Sequence, residues 1–135
     1  MADTAAVALL RPIRVLVTGA DDATVARLRD DLLRTGFQAM STSRVSRAAE
    51  LAAVERVNVV ILETSGGLAA TAATASAVEG LPHRVRVLLA GPRVRASRNL
   101  GYDIVDPSGP VEELAAAVHR VYRGGPGGVT RAARS

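Results

Sequence analysis

Asn58-Val59-Val60-Ile61-Leu62-Glu63-Thr64 is a run of four aliphatic residues that stops at a carboxylate. Unbroken apolar character over so short a span marks a strand covered on both faces, as in a parallel sheet flanked by helices. In an open parallel sheet, ligands bind in the crevice beyond the carboxyl ends of the strands. Glu63 therefore stands where function is decided, and its neighbours determine which function.

Working outward, the same alternation of strand and helix recurs on both sides. Arg14-Val15-Leu16-Val17-Thr18 is a β-branched run closed by Gly19, and Asp21-Asp22 signals a helix start. Val25, Leu28, Leu32 and Leu33 then form a helical apolar stripe over 23–34, which Gly36 stops. Phe37 to Ser41 reads as a second strand, with Ser41, Thr42 and Ser43 offering capping oxygens to a helix through Ala48, Leu51 and Ala52. After the central strand, Ser65-Gly66-Gly67 is a turn, and 68–78 reads as an Ala-rich helix whose threonines dilute its propensity. Val85 to Ala90 is the fourth strand, with Arg86 snorkelling out at its amino edge. A basic stretch, Arg93 to Asn99, precedes a fifth strand over Tyr102–Val105. The last helix carries Pro110 at its first position, Glu112 and Glu113 in its first turn, and Val111, Leu114, Val118 and Val121 on one face. The pattern predicts an α/β, flavodoxin-like (βα)5 doubly wound domain over residues 13–123, with a five-stranded parallel sheet in the order 2-1-3-4-5. Residues 1–12 are expected to form an arm, and 124–135 a disordered tail or linker.

Composition narrows the chemistry. The chain of 135 residues has no cysteine, which excludes disulfides, thiolate metal sites and a cysteine nucleophile and makes the cytoplasm the expected compartment. All 17 basic residues are arginine, so no mechanism that needs a lysine is open. Aromatic residues make up 2% of the chain, too few for base-stacking platforms, and a net charge of +4 suits a mixed-sign surface better than a nucleic-acid footprint. No run reaches membrane length and no export signal is recognised.

Val15-Leu16-Val17-Thr18-Gly19-Ala20 resembles the opening of short-chain dehydrogenases. Pyrophosphate binding needs further glycines at the following helix start, but here Asp21 and Asp22 stand where the anion would sit. The hexapeptide is then the ordinary strand-to-helix turn of an α/β protein.

A second resemblance spans Arg14 to about Arg123. The fivefold βα order, Val59-Val60-Ile61-Leu62 followed by an acid, and Val105-Asp106-Pro107 before a Glu-rich last helix are together similar to response-regulator receiver domains. That resemblance implies a signalling module. In the family an acidic pair after strand one binds Mg²⁺, an Asp after strand three accepts the phosphoryl group, and a hydroxyl after strand four and a lysine before the strand-five proline hold it. Carried across, the acidic pair falls on Gly19 and Ala20, the phosphoacceptor on Glu63, the hydroxyl on Ala90 and the lysine on Asp106. Pro107 stands as in the family, where the preceding bond is cis. Phosphoryl transfer relies on positioning and on charge neutralisation by metal and cations. An acid in place of a cation opposes an incoming dianion, and the extra methylene of Glu displaces the attacking oxygen. The resemblance therefore implies an atypical receiver that works without phosphorylation, with no catalytic residues, metal or cofactor. Glu63 is then either a permanent charge at the phosphoacceptor position or a plain solvated carboxylate.

Other clusters carry competing readings. Asp21, Asp22, Glu63 and Asp106 could supply oxygen ligands to a hard cation, or Asp21 and Asp22 cap a helix while Asp106 starts the turn before Pro107. Arg84, Arg86, Arg93, Arg95 and Arg98, with His83, form a basic cluster that reads as an anion or acidic-partner site or as a solvated face. By the family's use of its fourth helix, fifth strand and last helix, Arg93, Arg95, Arg98, Val111 and Tyr122 are candidates for an interface with a protein partner or a second copy. A DNA-binding output domain is what the family most often places after the linker. His83 and His119 lie apart from any triad arrangement. Outside signalling, the crevice reads alternatively as a small-molecule or nucleotide site, or as a degenerate NAD-binding site.

Overall fold

The computed structural model describes residues 12–92 and 101–124. Five strands form one parallel sheet: β1 (Arg14–Gly19), β2 (Gln38–Thr42), β3 (Val59–Glu63), β4 (Arg86–Ala90) and β5 (Ile104–Val105), in the order β2-β1-β3-β4-β5. Four α-helices lie among the described residues: α1 (Asp22–Arg34), α2 (Ala48–Val54), α3 (Leu68–Glu79) and α4 (Val111–Tyr122). The flavodoxin-like doubly wound topology expected from the sequence is the one adopted. The segment Arg93 to Asn99, residues 1–11 of the expected arm and 125–135 of the expected tail lie outside the described residues.

The period of two along each strand sorts the side chains into two cores. Val15, Val17, Val59, Ile61 and Leu88 face α1 and α4, where Val25, Leu28, Leu32, Leu114 and Val118 meet them. Leu16, Val60, Leu62, Val87 and Leu89 face the other way, onto Ala48 and Ala52 of α2 and Ala75 and Val78 of α3. β3 is buried at all five positions, which is why its sequence is continuously apolar rather than alternating. The parallel register sets Gly19 beside Glu63 and Glu63 beside Ala90, so these three residues form a row across the carboxyl edge.

Helix ends follow local backbone chemistry. After α1, Gly36 takes φ 96°, and the amides of Phe37 and Gly36 return to the carbonyls of Leu32 and Leu33. α2 closes in the same way, Val57 N–H to the Ala52 carbonyl and Arg56 N–H to that of Ala53, with Arg56 at φ 52° where glycine is usual. In α3, Thr71 and Thr74 donate to the carbonyls of Gly67 and Ala70, absorbing their hydroxyls into the helix itself.

Several local expectations need correction. Ser41, Thr42 and Ser43 do not cap the second helix: β2 extends through Thr42, a 3₁₀ turn over Val45–Arg47 intervenes, and neither it nor α2 has a side-chain cap. The Ser41 and Thr42 hydroxyls accept instead from the Arg29 guanidinium and the Arg44 amide. β5 keeps two residues, and Tyr102 ahead of it donates its hydroxyl to Glu79 of α3 at 2.6 Å. Pro110 caps α4 in an extended conformation (φ −61°, ψ 146°) rather than forming its first turn. Arg86 does not snorkel free, since Nε and Nη2 are buried without a hydrogen-bond partner. Its Nη2 lies 3.1 Å from where a Cβ on Gly124 would sit, so the end of α4 covers it.

Candidate functional site at the carboxyl edge

The strand that ends at Glu63 does not release its carboxylate to solvent. Glu63 is 8% exposed. Its Oε1 accepts from the Asp21 amide at 3.1 Å and from the Ser65 hydroxyl at 2.8 Å, and Oε2 accepts from the Ser65 amide at 2.9 Å. The side chain lies across Gly19, where an added Cβ would come within 2.5 Å of both Glu63 Cβ and Oε1. Gly19 is therefore required by a close approach, its β-region backbone being open to any residue. Neighbouring Gly91 plays the same part for Thr64, whose hydroxyl would lie 2.0 Å from a Cβ there.

The other carboxylates of the edge have local duties. Asp21 caps α1, accepting from the Thr24 amide at 3.3 Å and the Thr24 hydroxyl at 2.9 Å. Those bonds, the hydroxyl's first and the amide's next, hold its pKa below the ordinary 3.8. Asp22 is exposed in the first turn of the helix, where negative charge suits the dipole. Asp106 accepts from the Ser108 amide at 2.9 Å and hydroxyl at 2.8 Å, and its carbonyl accepts from Gly109 N–H at 3.0 Å.

Asp106-Pro107-Ser108-Gly109 is thus a closed β-turn with proline at its second position, a composition that trans proline favours. The Asp106–Pro107 bond is accordingly trans, not the cis linkage implied by the family resemblance. Among the described residues no group of three or more His, Asp or Glu is placed to hold a metal ion. Of the four acids proposed as a cation site, three are held by local bonds, capping for Asp21, turn formation for Asp106 and the Ser65–Asp21 cradle for Glu63, and Asp22 is exposed at the start of α1.

Ala90 is fully buried beside Glu63 and offers no hydroxyl, while Ala20 is exposed. The pyrophosphate reading meets a further obstacle, because the Asp21 amide, near the start of α1, already binds the Glu63 carboxylate. Ser65 is the residue that sequence reasoning missed. It looked like part of a flexible turn, yet it binds Glu63 twice, and the signal was a hydrogen-bonding side chain two residues after a strand-terminal acid.

Next to Glu63 a cavity of about 270 Å³ opens between the carboxyl ends of β1 and β3 and helix α3, with Thr18, Ala20, Val45, Leu62, Thr71 and Thr74 among its walls. This is the topological switch point, where strand order reverses about β1.

The basic cluster resolves only in part. His83 hydrogen-bonds the Val57 carbonyl at 2.9 Å, and the guanidinium groups of Arg84 and Arg86 both come within 4 Å of where a Cβ on Gly124 would sit. Arg93, Arg95 and Arg98 lie outside the described residues. His119 packs its ring on Phe37 at 5.1 Å. Of the interface candidates on α4, Val111 is half-buried and Tyr122 is 47% exposed. No described helix is long and apolar enough to cross a membrane.

No family model matches the sequence, and no curated protein matches it. Solved structures do. NtrX from Brucella abortus in complex with ATP superposes with a TM-score of 0.67 at 12% identity over 91% of this chain, which spans only 29% of that one. The signal receiver domain of a response regulator from Bermanella marisrubri gives 0.67 at 14% identity, covering 82% of this chain and 98% of that one. An atypical orphan response regulator, described as having a phosphorylation-independent regulatory mechanism, gives 0.65 at 17% identity, covering 82% and 96%. By its sheet order, its two helical layers and these superpositions, the chain has the fold of the response-regulator receiver domains.

Proposed function

We propose that the chain is a receiver-like regulatory module that works without phosphorylation, through contacts with a protein partner or a second copy of itself. The observation that carries this reading is the cradle of Glu63. The carboxylate at the phosphoacceptor position already receives three hydrogen bonds and bends over Gly19, so in-line attack on a phosphodonor would have to break contacts that hold it in place. The family's positions lack what phosphoryl transfer uses, since Ala90 has no hydroxyl, Asp106 stands in place of the lysine, and Gly19 contributes no metal ligand. Instead Glu63 supplies a constant negative charge tied to the first turn of the chain after β1, with no dependence on a donor.

Such a module is non-enzymatic, and its output is whatever its surface contacts. Val111 and Tyr122 on α4 are proposed contact residues, as are Arg93, Arg95 and Arg98 from the sequence alone, and a transcriptional output domain joined beyond residue 123 is the type of partner favoured. The similarity to an orphan regulator described as phosphorylation-independent is in keeping with this reading.

The test is direct. Incubation with Mg²⁺ and acetyl phosphate or phosphoramidate, followed by intact mass measurement, is expected to leave the protein unmodified. A stoichiometric phosphoadduct refutes the proposal.

A further inference from the structure

We infer that the cavity at the switch point is a binding site for a small organic cation, an ammonium group carried on an apolar body of about ten non-hydrogen atoms. The size follows from volume: a 150 Å³ cavity accommodates benzene, so about 270 Å³ accommodates roughly ten such atoms. The chemistry follows from what the walls leave available. The hydroxyls of Thr18, Thr71 and Thr74 are committed to the carbonyls of Thr42, Gly67 and Ala70, and Leu62, Val45 and Ala20 contribute only hydrocarbon.

The charged group left in the wall is Glu63. It is almost buried and forms no ion pair with any arginine, histidine or other cation among the described residues. Its Oε2 receives one hydrogen bond, from Ser65, and so retains a lone pair. A negative charge withdrawn from water attracts an opposite charge more strongly than an exposed one does.

A hard metal ion suits this place poorly, because Mg²⁺ or Ca²⁺ needs about six oxygens and one carboxylate in an apolar cleft does not provide them. An organic ammonium needs one acceptor and a hydrocarbon surface for its body, and both are present. The inference goes beyond the interaction role proposed above and does not depend on it, since a phosphoadduct and ligand binding are read by separate measurements.

The test uses three probes of one shape on the whole chain: phenethylamine, 2-phenylethanol and phenylacetate, followed by amide NMR titration and thermal shift. Binding of the amine is expected to move the amides of Ala20, Val45, Thr71 and Thr74 saturably and to raise the melting temperature by mass action. Its affinity is expected to exceed that of the alcohol about tenfold, the difference between a charge-assisted and a neutral hydrogen bond, with phenylacetate not binding. In Glu63→Gln the amine should lose that advantage. Thr74→Leu, which fills the cleft and leaves Glu63 intact, should abolish binding of the amine. The inference is overturned if the wild-type protein binds the alcohol or the acid as well as the amine, if the amine moves none of these amides, or if Thr74→Leu binds it unchanged.

Discussion

Replacing Gly19 by alanine puts the close approach of Glu63 to the test. The new Cβ would sit 2.5 Å from Glu63 Cβ and Oε1 and 2.8 Å from the Glu63 carbonyl oxygen. Carbon atoms in contact prefer about 3.5–4.0 Å, so an overlap of more than an ångström must be relieved. A flexible side chain could yield, but the carbonyl belongs to the backbone of β3, the most buried strand, and β3 is paired on both sides. Overpacking of this kind costs typically 1–3 kcal/mol, and the backbone contact places Gly19→Ala near the top, at about 3 kcal/mol. For a domain of roughly 100 residues that corresponds to a fall of about 12 °C in Tm. Calorimetry together with urea unfolding measures it, and Gly80→Ala is the control. At Gly80 the nearest atoms are 3.6 Å away, so the same substitution should stay within about 0.5 kcal/mol. A double-mutant cycle with Glu63→Ala, which removes Oε1 but keeps Cβ, should show a coupling of about 1 kcal/mol. A loss below about 0.5 kcal/mol for Gly19→Ala, or strict additivity with Glu63→Ala, refutes the reasoning.

Further outcomes follow from single features. Arg56→Gly, at φ 52°, should stabilise the protein by about 1 kcal/mol in urea unfolding, because it removes left-handed strain from a non-glycine residue; an unchanged midpoint contradicts it. Arg86→Met should be neutral or stabilising, since Nε and Nη2 are buried without partners and a Met of similar length keeps the packing, and a fall of more than about 1 kcal/mol rejects this. In an NMR pH titration the Asp21 carboxyl should titrate below 3.8 and move back towards that value in Thr24→Ala, which removes the hydroxyl bond. A pKa depressed in the fold contributes stability that is fully present above the unfolded value and lost as pH falls through the folded one, so wild type should hold an advantage over Asp21→Asn at neutral pH that shrinks below about pH 4; an advantage that grows on acidification has the wrong sign. Leu88→Ala, at 0% exposure in the middle of β4, should cost 2–5 kcal/mol, and a smaller loss means that the core collapses onto the site.

The sheet was legible because its residues state their environment directly. Val59 to Leu62 can be apolar at every position only if both faces are covered, and Val25, Leu28 and Leu32 recur at the helical period facing one of those cores. Elements whose local preferences are balanced were less legible. Ser41, Thr42 and Ser43 have the composition of a cap, yet pairing with β1 through Thr18 and Thr42 holds Ser41 and Thr42 in the strand, an outcome decided by residues more than twenty positions away. The trans bond before Pro107 was legible in principle, since Asp-Pro-Ser-Gly is a turn sequence in its own right, but the resemblance to the receiver family pointed the other way. The cavity was not legible, because its walls join Thr18, Val45, Leu62 and Thr74 from four separate elements, and its apolar character depends on hydroxyls that bond inward.

The residues at the carboxyl edge form one linked set, and that linkage predicts how they respond to substitution. A glutamate at the end of β3 reaches one methylene farther than an aspartate, and here that length folds back over β1, where the register sets a glycine beside it. Once the acid lies there, any side chain at residue 19 collides with it, so an acidic residue is not accommodated at that position while Glu63 remains. The amides of Asp21 and Ser65, which would otherwise face an incoming anion, are turned to the built-in one. Gly19→Asp alone should therefore destabilise the fold as Gly19→Ala does, with like-charge repulsion added, and should leave phosphodonors without effect. Glu63→Asp combined with Gly19→Asp relieves the overlap at Oε1, so the pair should be more stable than the sum of its single changes by about 1 kcal/mol, read in urea unfolding. If Gly19→Asp is instead tolerated on its own at wild-type stability, Glu63 and Gly19 are independent and the overlap read from the fold is not real.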